Sequence, residues 1–129
     1  MLLSAYRVVE FCDERGQLAG QMLADLGADV ILVEPPGGSP SRQIGPFADG
    51  GDGDPERSLW FWSYNRGKRS VVIDLDTAEG QAQAAELARG ADIVLESGRP
   101  GWMAERGLGP DDLRALNPTL VYTSISPFG

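Results

Sequence analysis

Three bases fall within four positions, at Arg66, Lys68 and Arg69, and Lys68 is the sole lysine of the chain. The apolar run "SVVI" follows at once, then Asp74 and Asp76, then the helix-like start "TAEG". A compact basic turn can meet phosphates, or it can neutralise acids on neighbouring segments. Asp74 and Asp76 would share one face of a strand running through both, as a carboxylate pair for acid–base chemistry requires. Asp76, however, directly precedes Thr77, a residue suited to capping a helix, so the two are read as solvated loop acids. Asp49, Asp52 and Asp54 lack the alternation and closing Glu of a calcium loop and are also read as solvated. Cys12 is alone and histidine is absent, which excludes a disulfide framework, a Cys-based metal site and any His-dependent triad. Cys12 itself reads as a small buried apolar residue. Gly16 and Gly20 form G-x-x-x-G, not the G-x-G-x-x-G of dinucleotide sites, and tight helix–strand packing is their simpler use. Glu34 stands where a dinucleotide fold places its ribose-binding acid; the competing reading is a solvated strand end. Trp60, Phe61, Trp62 and Tyr64 are either a stacking surface or, the preferred reading, a core-facing helix at an interface.

These residues need a scaffold. The 129 residues, 42% of them hydrophobic, suffice for one domain or a piece of one. A net charge of −8 argues against a phosphate-backbone binder, so no nucleic-acid partner is expected. No apolar run reaches the roughly 18 residues of a membrane span, and no signal-peptide pattern opens the sequence. The expectation is a cytoplasmic protein with no membrane partner. Segments 6–11, 28–34, 70–75, 91–97 and 120–126 read as strands. Segments 16–27, 58–65, 77–90 and 109–118 read as helices, the first with Leu18, Met22, Leu23 and Leu26 at helical spacing. Residues 35–56 form a long Gly/Pro/Asp loop of the kind that is either functional or disordered. Strand–helix alternation predicts an α/β fold, a Rossmann-like doubly wound parallel sheet. The right-handed crossover rule places 7–11 at its centre, with 29–34 then 70–74 on one side and 92–96 then 120–125 on the other. The sequence stops after the fifth strand, so the front part of a larger fold is expected. Ligands of such sheets sit beyond the carboxyl ends of the strands, here 12–16, 34–38, 74–76 and 96–101.

"LADLGADVILVEPPGG" (23–38), "NRGKRSVVIDLDTAEG" (65–80), "ADIVLESGRPG" (91–101) and "LNPTLVYTSISPFG" (116–129) occur in this order. Together they resemble the amino-terminal segment of the class III CoA-transferases, the family of formyl-CoA transferase, carnitine CoA-transferase and α-methylacyl-CoA racemase. The resemblance implies coenzyme A or acyl-CoA as substrate, no permanently bound cofactor, a carboxylic acid acceptor and an interlocked homodimer. It implies a catalytic Asp that attacks the thioester to give a mixed anhydride, then an enzyme thioester. That Asp lies downstream of the last motif, so no catalytic residue is assigned in this chain, which should not catalyse transfer alone; no metal site is expected.

The same resemblance places the adenine of CoA near the far end of the third strand. The basic turn is then read as a structural ion-pair cluster in preference to a direct CoA contact. The candidate contacts are Arg15, Gly16, Ile73, Leu75, Asp76, Ser97, Gly98, Arg99 and Arg106, with Arg99 or Arg106 meeting a phosphate oxygen. Four departures stand out: Leu32 and Asp76 replace family lysines, Ser97 and Gly98 replace Asn-Phe, and Pro127 replaces Gly. Asp76 sets a negative charge near CoA phosphates, and Gly98 removes an aromatic ring. Weak, salt-sensitive CoA binding is therefore expected. An acyl-CoA racemase fragment, or a degenerate non-catalytic interaction module, remains the alternative.

Overall fold

The computed structural model describes residues 1–128. Five strands, β1 (Arg7–Phe11), β2 (Asp29–Glu34), β3 (Arg69–Val72), β4 (Ile93–Glu96) and β5 (Val121–Ser124), form one sheet. Its order is β3-β2-β1-β4-β5 and every pairing is parallel, the arrangement expected from the sequence. The helices are α1 (Gln17–Asp25), α2 (Leu59–Asn65), α3 (Ala78–Arg89) and α4 (Pro110–Leu116).

The central strands are apolar without alternation because both faces are covered. Val8, Val30 and Leu95 pack on one face against Leu23 and Ala24 of α1. Val9, Val33 and Val94 pack on the other against Ala84 and Ala88 of α3 and Leu113 of α4. Thr77 caps α3, its Oγ1 accepting the Gly80 N–H at 3.0 Å, and Gly90 ends it. Pro110 opens α4, where the fixed φ of proline suits a first helical turn.

The basic turn before β3 is a fastening. Lys68 Nζ lies 2.7 Å from Glu10 Oε2, and donates to the Gln17 carbonyl and to Asn65 Oδ1, both at 2.8 Å. The two charged side chains are 1% and 0% exposed. Asn65 in turn donates to Gln17 Oε1, and Gln17 donates to the Cys12 carbonyl and to Ser39 Oγ. Arg69 pairs with Asp29 and Arg66 with Asp25 at the surface. Burial pushes the Glu10 carboxyl up to about 7 against the downward pull of Lys68, and the same burial pushes Lys68 down.

This pair explains why α1 departs from its apolar pattern. Leu18, Met22 and Leu26 are exposed, while Gln17, Gly20 and Gln21 are buried. The helix face turned to the sheet must accommodate a carboxylate, and a side chain at Gly20 would run into the Glu10 carboxyl. Of the four apolar positions only Leu23 packs on the core.

Glu34 is neither a ribose acid nor a solvated strand end. It is 2% exposed and held by Arg42 through two contacts, Nε–Oε2 at 2.7 Å and Nη2–Oε1 at 2.8 Å. Ser70 Oγ and the Ser39 N–H also donate to it. Arg42 stacks 3.8 Å from the Phe61 ring centroid, so one arginine ties β2, the 35–56 loop and α2 together. The loop is built rather than loose: it carries short 3-10 turns at Pro40–Gln43 and Ala48–Gly50. Asp54 pairs with Arg57. Of the aromatic run only Phe61 is buried; Trp60 stacks with Tyr64, and Trp62 is exposed.

Two measurements test these anchors. Glu10 binds its proton more tightly folded than unfolded, so its contribution to stability is full below 4.5 and lost as pH rises through about 7. Lys68→Met should therefore lose about 3–5 kcal/mol at pH 8, with the deficit shrinking as pH falls and Glu10 is protonated. Urea denaturation at a series of pH values reads this, and a deficit independent of pH contradicts it. Glu34 has the opposite sign. Burial would raise it, but Arg42, Ser70 and the Ser39 N–H outweigh that and hold it at about 2. Its stabilisation is present above 4.5 and fades as pH falls toward 2. Glu34→Gln should flatten the acid limb of the stability–pH curve and open residues 35–56 to limited proteolysis; an unchanged acid limb would refute the assignment.

Candidate functional site

A cavity of about 530 Å³ opens at the carboxyl ends of four strands. From β1 and the loop after it come Phe11, Cys12, Asp13 and Arg15; from β2 and its loop, Val33, Pro35, Pro36 and Pro40. The segment after β3 adds Ile73, Asp74, Leu75 and Asp76, and the loop after β4 adds Ser97, Gly98, Arg99 and Trp102. The strand order makes this place. β1 connects to β2 on one side and β4 lies on the other, so the chain diverges here and leaves a crevice.

Seven of the nine residues singled out in the sequence line the cavity: Arg15, Ile73, Leu75, Asp76, Ser97, Gly98 and Arg99. Gly16 and Arg106 do not. Gly16 is steric: a Cβ there would stand 2.7 Å from Cys12 Sγ and 3.1 Å from Ser97 Cβ. Arg106 stacks 3.7 Å from the Trp102 ring centroid and does not itself line the cavity. Leu32 is buried beside Glu10 in the strand register, so that departure from the family pattern concerns packing, not the cavity.

The side chains at the site are largely engaged. Ser97 Oγ accepts the Asp13 N–H at 3.0 Å and donates to Asp13 Oδ1 at 3.1 Å, fastening the loops after β1 and β4 to each other. Burial would raise Asp13, but hydrogen bonds from Arg15 and Ser97 hold it below the usual carboxylate range. Arg15 is 2.7 Å from Asp13, Arg99 2.7 Å from Glu105, and Arg106 2.7 Å from Asp76. Asp74 Oδ1 accepts the Asp76 N–H, as a loop acid does. The Cys12 thiol is buried, and desolvation pushes it far up, so it is no thiolate nucleophile. No group of three or more His, Cys, Asp or Glu that could hold a metal occurs among the described residues. No helix there is long and apolar enough to cross a membrane.

Sequence reasoning passed over the apolar walls, Phe11, Val33 and Pro40, and over Trp102. The window 96–101 at the end of β4 stops one residue short of the indole. Pro35 and Pro36 fell inside their strand-end window, but nothing in their type marked them as ligand contacts.

Residues 3–129 match the family described as CoA-transferase family III. The probable fatty acyl-CoA transferase Rv3272 of Mycobacterium tuberculosis is 48% identical over 128 residues, covering 98% of this chain and 32% of that protein. The succinate–glutarate CoA-transferase of Agrobacterium fabrum is 48% identical over 130 residues, again 98% of this chain and 32% of the relative. A crystal structure of Rv3272 superposes with a TM-score of 0.86 at 47% identity, covering 98% of this chain and 35% of that one. A CAIB/BAIF family protein from Brucella suis gives a TM-score of 0.85 at 41% identity, covering 94% and 32%. The chain thus spans about a third of the length of the relatives it matches. With the strand-end cavity in place and the match running from residue 3 to the last residue, the chain belongs to CoA-transferase family III.

Proposed function

We propose that this chain is the coenzyme A-binding part of an acyl-CoA:carboxylate CoA-transferase. The observation that carries the reading is the cavity itself. It lies where the fold gathers strand ends, its walls are apolar, and Arg15 and Arg99 stand at its lining. That combination suits a nucleotide: flat apolar walls for a base, guanidinium groups for phosphate. The relatives' names, a fatty acyl-CoA transferase and a succinate–glutarate CoA-transferase, agree with an acyl-CoA donor and a carboxylate acceptor.

The three carboxylates lining the cavity serve structure. Asp13 is locked by Arg15 and Ser97, Asp74 caps a turn, and Asp76 pairs with Arg106. In this reading the nucleophilic Asp is supplied by residues beyond 129, and the chain by itself binds without transferring. A cytoplasmic homodimer belongs to the same reading, and self-association draws support from the exposed Leu18 and Met22 of α1, Leu26 just past its end, and Trp62 of α2. Sedimentation should show self-association; a stable monomer at high concentration would argue against it.

A second reading, a family-derived module that has lost CoA, draws on one feature. Three carboxylates line the cavity against two guanidinium groups. Like charges a few Å apart cost on the order of 1 kcal/mol each when partly screened, so CoA phosphates meet a weakly hostile field. Calorimetry with CoA decides between the readings. The parent should bind weakly and lose affinity with salt. Asp76→Lys removes one acid, releases Arg106 from its ion pair and adds a cation, and should tighten binding by about tenfold. No binding by either form favours the second reading; binding by the parent with no gain in the variant removes the phosphates from the neighbourhood of residue 76.

A further inference from the structure

Resting on the CoA reading, we infer that Trp102 is the platform on which the adenine base of coenzyme A stacks. The indole lines the cavity and is half-buried. One face of the ring is held. The Arg106 guanidinium stacks on it at 3.7 Å, and that guanidinium is fixed by Asp76 Oδ1 at 2.7 Å and by the Trp102 carbonyl at 3.1 Å. A ring clamped by a cation that is itself clamped keeps one orientation, so stacking on it requires little further ordering. Leu75 and Pro35 also line the cavity and add apolar surface for a flat ligand.

Gly98 makes this a property of the present chain. A Cβ at position 98 would lie 3.3 Å from Trp102 Cβ and 3.5 Å from its Cε3. The indole therefore occupies the space over Gly98, and an aromatic side chain at 98 would compete with it for that space. The absence of a side chain at 98 and the indole at 102 thus belong to one arrangement. The base is also the part of CoA least affected by the carboxylates, because it is uncharged.

The test uses the protein expressed from its complete reading frame, with CoA, adenosine 3′,5′-bisphosphate and 4′-phosphopantetheine as calorimetric probes. Trp102→Ala should weaken CoA and the bisphosphate by about tenfold to a hundredfold, the range expected for loss of one base–aromatic stack, and leave phosphopantetheine unchanged. Trp102→Phe should keep most of the affinity. Gly98→Phe alone should weaken the bisphosphate, and Gly98→Phe combined with Trp102→Ala should restore it, since the space over position 98 is then free for the new ring. If the parent binds CoA and the bisphosphate, and natively folded Trp102→Ala binds them equally well, this inference falls and the CoA reading stands. If Trp102→Ala weakens phosphopantetheine as much as the bisphosphate, the indole is not a base platform. If the parent binds none of the three probes, the CoA reading falls and this inference with it.

Discussion

A carboxylate at the centre of the sheet constrains the rest of this structure. Glu10 is on the central strand and fully buried, where an unpaired ion costs several kcal/mol. Its partner comes from 58 residues away, so folding must bring the turn after α2 against β1 before that charge is compensated. The consequences spread outward from there. Position 20 has no room for a side chain, and Gln17 turns inward to carry the network on to Asn65, Cys12 and Ser39. The rotation of α1 follows, and with it the exposure of Leu18 and Met22. Through Gln17, which donates to the Cys12 carbonyl, the network also reaches the loop that lines the cavity.

The neighbouring strand repeats the device. Glu34 lies on the same face of the sheet as Glu10, and Arg42 reaches it from within the loop that follows. The chemistry of the two partners differs to suit. Lysine offers three donors from a point and takes a carboxylate, a carbonyl and an amide oxygen at once. Arginine offers a plane, and uses its edge on Glu34 and its face on Phe61. The first ties the turn before β3 to the central strand and α1; the second fixes the loop whose Pro35, Pro36 and Pro40 line the cavity.

Much of the fold was legible because its signals are local. Thr77 and Gly90 bound α3, Pro110 opens α4, and the continuous apolar run of β2 announced a strand covered on both faces. Strand order followed from the handedness of crossovers, a rule independent of residue type. The ion-pair reading of the basic turn was also sound, since an acidic chain has acids to spare. What failed was inference of facing. The pattern of α1 names an apolar stripe, but which stripe is buried depends on a carboxylate 10 positions before Gly20 in sequence and a lysine 48 after it. Glu34 misled for the same reason: a strand-end acid is read by position, whereas its burial is decided by an arginine in a loop with no regular pattern. The cavity followed from topology, so the strand ends were found. Trp102 was missed because a residue in the turn after β4 is brought to the cavity only by the folded loop, which sets its side chain beside Gly98.

The electrostatics of the cavity bear on which part of a ligand it can grip. Each guanidinium at or near the site already has a carboxylate at 2.7 Å: Arg15 with Asp13, Arg99 with Glu105, Arg106 with Asp76. A phosphate arriving there finds shared cations, not free ones, and must accept the nearby acids as well. Those acids are exposed enough for water and salt to screen them, so the penalty is modest rather than prohibitive. The apolar walls are under no such competition. Leu75, the prolines and the indole of Trp102 offer apolar surface still open to water. Apolar contact is the uncontested resource of this site, and charge the contested one.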